Sequence, residues 1–344
     1  MPIGNRLLLP LAMQILFAPL QGHTDHIYRR LHHRFVGCVD EYYTPFLRWE
    51  KTGLRNKDLR DMSPDNNENV PLTVQVIARD RDEFCNLCDA VQQQGWKRID
   101  FNMGCPFPLQ THAGRGSAIL SRPDRVEPIF DEMRNRPDVA FSIKMRLGLD
   151  AVEHAMDLLP MINASVVRHV VLHPRLGVQQ YKGTPDKKAF AQFYDRCAKP
   201  LFFNGDLLSV ADVESVIHDF PRLEGVMLGR GILADPLLPH RLQHKTEKRN
   251  PLFVLKQLHD GLFEWASRSL QGDHQILARM RAFWEYAQPA VHHENSLPLQ
   301  QPSPTLGTHT DLSAHNLSKT FKKIKKATSI AEYREAVVTI FEKW

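Results

Sequence analysis

Between residues 14 and 240 the chain repeats one pattern, a short run rich in apolar and β-branched residues followed by a stretch with helical spacing. The runs are 15–19, 38–46, 71–77, 98–103, 140–146, 168–173, 200–204 and 224–229, eight in all. Between them, apolar residues recur at three- and four-residue intervals over 82–94, 125–134, 151–162, 186–197 and 210–220. Strands that alternate with helices pair in parallel through crossover connections. Eight such units predict an α/β chain closed into a (β/α)8 TIM barrel. A doubly wound open sheet is the alternative, and the lack of a G-x-G-x-x-G after the first strand counts against it.

A barrel of this kind carries its chemistry at the C-terminal ends of the strands. Polar or unusual residues close nearly every run: Gln21-Gly22, Gln75, Asn102, Lys144 and Arg146, His173 and Arg175, Asn204 and Asp206, Gly229-Arg230. A single polar residue at a strand end is ordinarily a cap or a turn. Seven strands contributing together point to a site.

After about residue 245 the pattern becomes helical, over 251–270, 274–288, 313–327 and 329–343, with a Pro/Ser/His-rich loop at 289–310. The chain therefore divides into a barrel domain at 1–240 and a smaller all-α domain at 241–344. Charge divides with it. Of the formal net charge of +5, none belongs to residues 1–240, which hold 29 basic and 29 acidic side chains, whereas residues 241–344 hold 15 against 10. Part of that excess is KTFKKIKKATS, where Lys319, Lys322, Lys323, Lys325 and Lys326 surround Phe321 and Ile324. This spacing predicts a helix with a packed apolar stripe and a basic outer face, which attracts polyanions such as RNA or is simply solvated.

Several classes are excluded. No apolar run approaches the roughly 20 residues that cross a bilayer. Residues 7–17 are short and broken by Pro10, and Met13 opens a cleaner strand, so a cytoplasmic protein beginning at Met1 or Met13 is expected. Five scattered cysteines read as reduced thiols. Cys85 and Cys88 lie on a predicted helix with no second pair, the His pairs at 32–33 and 292–293 lack ligand spacing, and no metal is expected.

One cysteine stands apart. Cys105, in Asn102-Met103-Gly104-Cys105-Pro106, ends the fourth strand between Gly and Pro, ahead of the loop FPLQTHAGRGSAIL. A thiol presented there can act as nucleophile, base or acid.

At this point the residues resemble a known family. APLQGHTDHIYRR (18–30), NMGCP (102–106) with AGRGSAIL (113–120), KMRLG (144–148), HPRLGVQQYKG (173–183), NGD (204–206) and GRG (229–231) look like the dihydrouridine synthases, in that family's order. The resemblance implies a flavoprotein in which FMN, reduced by NADPH, passes a hydride to C6 of a flipped-out uridine in tRNA. It assigns Cys105 as the general acid that protonates C5. It further implies that Pro19, Leu20 and Gln21 lie by the flavin, that Gln75 and Lys144 bond its polar edge, and that His173 reaches the ring or ribityl chain. Asn204, Gly205, Asp206, Gly229 and Arg230 would hold the phosphate. Asn102, Arg175 and Tyr181 would meet the uridine, and the five lysines at 319–326 the RNA backbone, with Arg279 and Arg281 as lesser contacts. A monomer is expected. Leu20, Gln21 and His23, and the missing Lys after the GCP, depart from the family pattern and leave the target uridine open. Ribosomal RNA as substrate, a small-molecule reductase of the dihydroorotate type, and an RNA-binding protein with an inert barrel remain alternatives.

Overall fold

The computed structural model describes residues 13–51, 53–243, 249–294 and 309–343. The strands are β1 (Gln14–Phe17), β2 (Glu41–Tyr43), β3 (Leu47–Arg48), β4 (Leu72–Ile77), β5 (Arg98–Met103), β6 (Ala140–Gly148), β7 (Val170–Leu176), β8 (Leu201–Asn204) and β9 (Gly225–Leu228). All pairings between them are parallel, and they close on themselves in the order β1, β2, β4, β5, β6, β7, β8, β9 and back to β1. This is the eight-stranded barrel that the repeat predicts. The expected strand at 38–46 shortens to β2; Pro45, which has no N–H to give the ladder, follows it, and the two-residue β3 lies just beyond the predicted run. Two strands outrun their predicted ends, β6 to Gly148 and β7 to Leu176, and the second extension brings Arg175 into the sheet.

The predicted intervening helices occur as Arg81–Gln93, Pro123–Arg134, Glu153–Ala164, Lys187–Arg196 and Val210–Asp219. Their starts are chemically marked. The Asp80 side chain accepts the Glu83 N–H, and Ser209 with Asp212 forms a reciprocal capping box.

Inside the barrel, alternate residues of β1, β2, β7, β8 and β9 build an apolar wall of Leu16, Ala18, Tyr43, Val171, Phe202 and Met227. The inward residues of β4, β5 and β6 are of another kind. In-register pairs bring Gln75 beside Asp100, Asp100 beside Ser142, and Asn102 beside Lys144.

By its contacts the chain forms two compact units, residues 1–30 with 38–229, and residues 31–37 with 230–344. The second contains the helices Pro251–Ser269, Gly272–Glu294, His309–Lys326 and Ile330–Lys343. Two of these run into the predicted 289–310 loop, which is helical as far as Glu294 and again from His309; residues 295–308 lie outside the described part. A helix can carry an internal proline such as Pro289 by giving up one hydrogen bond. Trp284 and Tyr333 are fully buried at the core of this unit, joined by a hydrogen bond from Trp284 Nε1 to the Tyr333 hydroxyl (2.8 Å). Phe321 and Ile324 are buried while Lys319, Lys322, Lys323, Lys325 and Lys326 are exposed, so the basic helix is amphipathic in the expected sense. No helix among the described residues is long and apolar enough to cross a membrane.

Candidate active site

Cys105 follows β5 directly and is partly buried, with a free thiol. Its backbone is held from two sides. The N–H groups of Gly104 and Cys105 donate to Asn102 Oδ1 (3.0 and 2.8 Å), and the Cys105 carbonyl accepts from the N–H and the hydroxyl of Ser117 (3.0 and 3.2 Å). Between these contacts lies Gly116, with φ of 61°; a Cβ there would sit 2.4 Å from the Cys105 carbonyl oxygen, so only glycine fits. The same loop is anchored below by Arg115, whose guanidinium grips both oxygens of Glu83 (2.9 and 2.5 Å) on the Arg81–Gln93 helix. Burial pushes the Cys105 thiol above its ordinary pKa, against the lowering effects of the Phe107 backbone, Arg146 and Lys144. A thiol so placed keeps its proton at neutral pH, which suits an acid rather than a nucleophile.

Beside it is a buried polar chain. Asn102 Nδ2 donates to Gln75 Oε1 (2.8 Å), Gln75 Nε2 donates to Asp100 Oδ2 (2.8 Å), and Ser142 Oγ donates to Asp100 Oδ1 (2.7 Å). Burial raises Asp100 to about 6, partly offset by its bonds to Ser142 and Gln75. Lys144 makes no hydrogen bond or ion pair among the described residues, and burial, helped by nearby Arg146, lowers it to about 8. Arg146 is itself committed, donating to the carbonyls of Leu176 and Gln180 (2.8 and 2.6 Å) and lying 5.5 Å over the Tyr181 ring.

Across the mouth, Arg175 is 1% exposed. It grips both oxygens of Asp206, donates to the Gly183 carbonyl (2.5 Å), and meets His173 Nε2 (3.0 Å). Its Nε is buried with no partner among the described residues. His173 also packs on Gly205, where φ is 126° and a Cβ would come within 2.8 Å of the imidazole. Gly205 and Asp206 (φ 51°) both have positive φ, which turns the chain sharply after β8. Leu20 and Ala18 line the third side, each 3.3 Å from where a Gly229 Cβ would be.

A family model described as dihydrouridine synthase matches residues 16–301. The chain belongs to the dihydrouridine synthase family. Its curated relatives include the tRNA-dihydrouridine(16) synthase of Pseudomonas putida, 27% identical over 286 residues that cover 80% of this chain and 82% of the relative. The tRNA-dihydrouridine(16) synthase of Neisseria meningitidis is 28% identical, covering 67% and 71%, and the tRNA-dihydrouridine synthase B of Pasteurella multocida 25% identical, covering 68% and 70%. Among solved structures, an old yellow enzyme homologue from Zymomonas mobilis reaches a TM-score of 0.49 at 11% identity, covering 69% of this chain and 90% of that one, a likeness too distant to bear on function. The protein is thus an oxidoreductase.

In this synthase the structure brings Gln75, Asn102, Cys105 and Lys144 together, and gathers His173, Arg175, Tyr181, Gly205 and Asp206 into a second cluster. Other residues are spent elsewhere. Gln21 is exposed and donates to the Phe46 carbonyl (3.2 Å), and Asn204 Nδ2 donates to the Met227 carbonyl (2.7 Å), pinning β8 to β9. Asp206 offers its carboxylate to Arg175. Arg230 opens the short helix Arg230–Ala234 in the second unit. Arg281 donates to the Ala327 carbonyl (2.6 Å) just past the His309–Lys326 helix. Among the described residues no group of His, Cys, Asp or Glu is arranged to hold a metal ion. Sequence reasoning passed over Asp100, Ser142 and Gly116. The period-two spacing of Asp100 with Asn102, and of Ser142 with Lys144 and Arg146, was the signal for the first two.

Proposed function

We propose that this synthase reduces the C5–C6 double bond of a uridine in tRNA to 5,6-dihydrouridine, with FMN as its flavin and NADPH as the reductant. The observation that carries the reading is Cys105: a protonated thiol at the C-terminal end of a barrel strand, fixed by hydrogen bonds from both sides, with the unpartnered ammonium of Lys144 nearby.

The residues at the barrel mouth fit a flavin. Lys144 lacks an acceptor and Arg175 Nε is a buried donor without one, as expected of groups that complete their bonding to a bound polar ligand. Pro19, Leu20 and Gly229 offer a low apolar surface for a ring, Gln75 and Lys144 its polar partners, His173 a contact to the ring or ribityl chain, and the positive-φ Gly205-Asp206 backbone two N–H groups for a phosphate. When held by these residues and reduced by NADPH, FMN would supply the hydride chemistry.

The chain's own task is the proton. Cys105 Sγ–H gives its proton to C5, and the resulting thiolate, stabilised by Lys144 and Arg146, regains a proton from solvent before the next turnover. Arg175, held rigid by Asp206 and Gly183, and Tyr181, exposed beside it, face the incoming base. Extruding that base costs a few kcal/mol, and contacts to the RNA backbone offset it. Lys319, Lys322, Lys323, Lys325 and Lys326 supply a basic face for this purpose.

Purified protein tests the reading directly. The expected result is a yellow preparation that oxidises NADPH and, given unmodified tRNA, forms dihydrouridine detectable by mass spectrometry. A colourless protein that takes up no FMN, or one that leaves tRNA unchanged, overturns it. Mapping the product along tRNA and ribosomal RNA then gives the position, for which the relatives named for position 16 are a starting point.

A further inference from the structure

The hydrogen bonds behind Cys105 form a series with a direction. At one end, the N–H groups of Gly104 and Cys105 can only donate; at the other, the Asp100 carboxylate can only accept. Between them stand two carboxamides, Asn102 and Gln75, whose donor and acceptor ends are nearly equal in size. Packing therefore does little to choose which way either amide points, and the fixed groups at the two ends must choose. With a carboxylate at position 100, Gln75 turns Nε2 toward it and Oε1 toward Asn102, and Asn102 is left with Oδ1 facing the Cys105 backbone. Asp100, Gln75 and Ser142 are 0% exposed and Asn102 8%, so water offers no alternative partner.

We propose that Asp100 is a positioning residue for the proton transfer. Its carboxylate fixes the polarity of the Gln75–Asn102 relay, and the relay sets the backbone of Gly104-Cys105 and with it the direction of the thiol. Ser142 has the supporting role of orienting the carboxylate from the neighbouring strand. Asp100 touches neither thiol nor ligand; it acts through two intervening side chains.

The inference rests on the proposed reaction only for its kinetic consequence, since the geometry of the thiol can be read without turnover. In Asp100→Asn the residue at position 100 both donates and accepts, so the relay loses the fixed group at that end and only the Gly104 and Cys105 N–H groups still hold its sense. Expected are a kcat about tenfold lower with an unchanged KM for tRNA, and a rate of Cys105 alkylation by iodoacetamide, measured in the flavin-free protein, that shifts several-fold from wild type. In Asp100→Asn/Gln75→Glu the acceptor-only group moves one link nearer to Asn102 and the total charge is restored. The expected alkylation rate returns to within twofold of wild type, which a loss of packing at position 100 would not allow.

An Asp100→Asn protein with wild-type kcat and alkylation rate overturns the proposal, and so does a folded double variant that stays as altered as the single one. If the single variant does not fold, a folded double variant with the wild-type alkylation rate supports it. If neither folds, Ser142→Ala is decisive: slower turnover and altered alkylation, each by a few-fold, support the relay, and unchanged rates reject it. Should wild-type protein make no dihydrouridine, the proposed function fails while the alkylation series still judges Asp100.

Discussion

The two walls of the barrel interior are held by different physics. On the side of β1, β2 and β7 to β9, Leu16, Ala18, Tyr43, Val171, Phe202 and Met227 pack by area alone, and any shape that fills the space would serve. On the side of β4 to β6, Gln75, Asp100, Asn102, Ser142 and Lys144 stand where apolar residues would cost nothing to bury. Hydrogen bonds satisfy most of that wall, and Lys144, without a hydrogen-bond or ion-pair partner among the described residues, interacts electrostatically with Cys105. The difference teaches where selection for stability ends and selection for chemistry begins. Substitutions on the apolar wall should move stability, and substitutions on the polar wall should move rate.

The largest expected effect is kinetic. Cys105→Ala should lower the rate of dihydrouridine formation by about 10²–10⁴, the usual worth of a positioned general acid, while FMN content and thermal stability stay near wild type. Mass spectrometry of tRNA digests measures the first and the visible spectrum the second. Comparable in energy but opposite in kind, Phe202→Ala should lower unfolding stability by about 3–5 kcal/mol, read by urea denaturation, with turnover retained in the fraction that stays folded. If Phe202→Ala spared stability and abolished chemistry, the division between the walls would be wrong.

A smaller effect belongs to Lys144. Removing one charge-assisted contact in Lys144→Met should weaken FMN binding by about 2 kcal/mol, roughly thirtyfold, seen by fluorescence titration. The wild-type protein should show a matching pH dependence. A lysine is charged only below its pKa, and burial has lowered this one to about 8 in the free protein, so FMN affinity should fall as pH rises through that value. The same limb should be absent from Lys144→Met. On the acid side, Asp100 faces Gln75 and Ser142 directly and Lys144 and Arg168 at longer range, and it loses its charge as pH falls through about 6. Turnover should decline there as the carboxylate becomes able to donate.

The barrel was legible because its signal is repetitive. Eight apolar runs at regular intervals leave little choice of fold, and the one strand not expected is the two-residue β3, just past Pro45 and the end of its run. Cys105 stood out for a related reason, since a cysteine between Gly and Pro at a strand end is unusual, although its partial burial was not visible in the spacing. What stayed hidden were relations that depend on register. The resemblance placed Asn102 and Arg175 toward the uridine, but spacing did not show that Asn102 Oδ1 also accepts from the Gly104 and Cys105 N–H groups or that Asp206 occupies the fork of Arg175. Sequence spacing gives the face on which a side chain stands but not which neighbour across the barrel uses its bonding capacity. The 289–310 loop failed for the opposite reason: its composition masks helical ends at Glu294 and His309 that no periodicity announces.

The smallest effects test the second unit against the first. Lys319, Lys322, Lys323, Lys325 and Lys326 are exposed on a helix whose opposite face is sealed by Phe321 and Ile324, so single Lys→Gln changes there should leave stability within about 0.5 kcal/mol of wild type. If the face binds RNA, each lysine on a phosphate displaces about one counterion, and its loss should reduce the slope of log affinity against log salt by roughly one while leaving kcat at saturating tRNA unchanged. A plain solvated surface predicts no change in slope for any of the five. The barrel's polar wall makes the contrast sharp, because there the loss of one hydrogen bond is expected to change the rate of chemistry and leave the salt dependence untouched. A lysine variant that lowered kcat without altering the slope would remove the helix from RNA binding and give it some part in the barrel's own reaction.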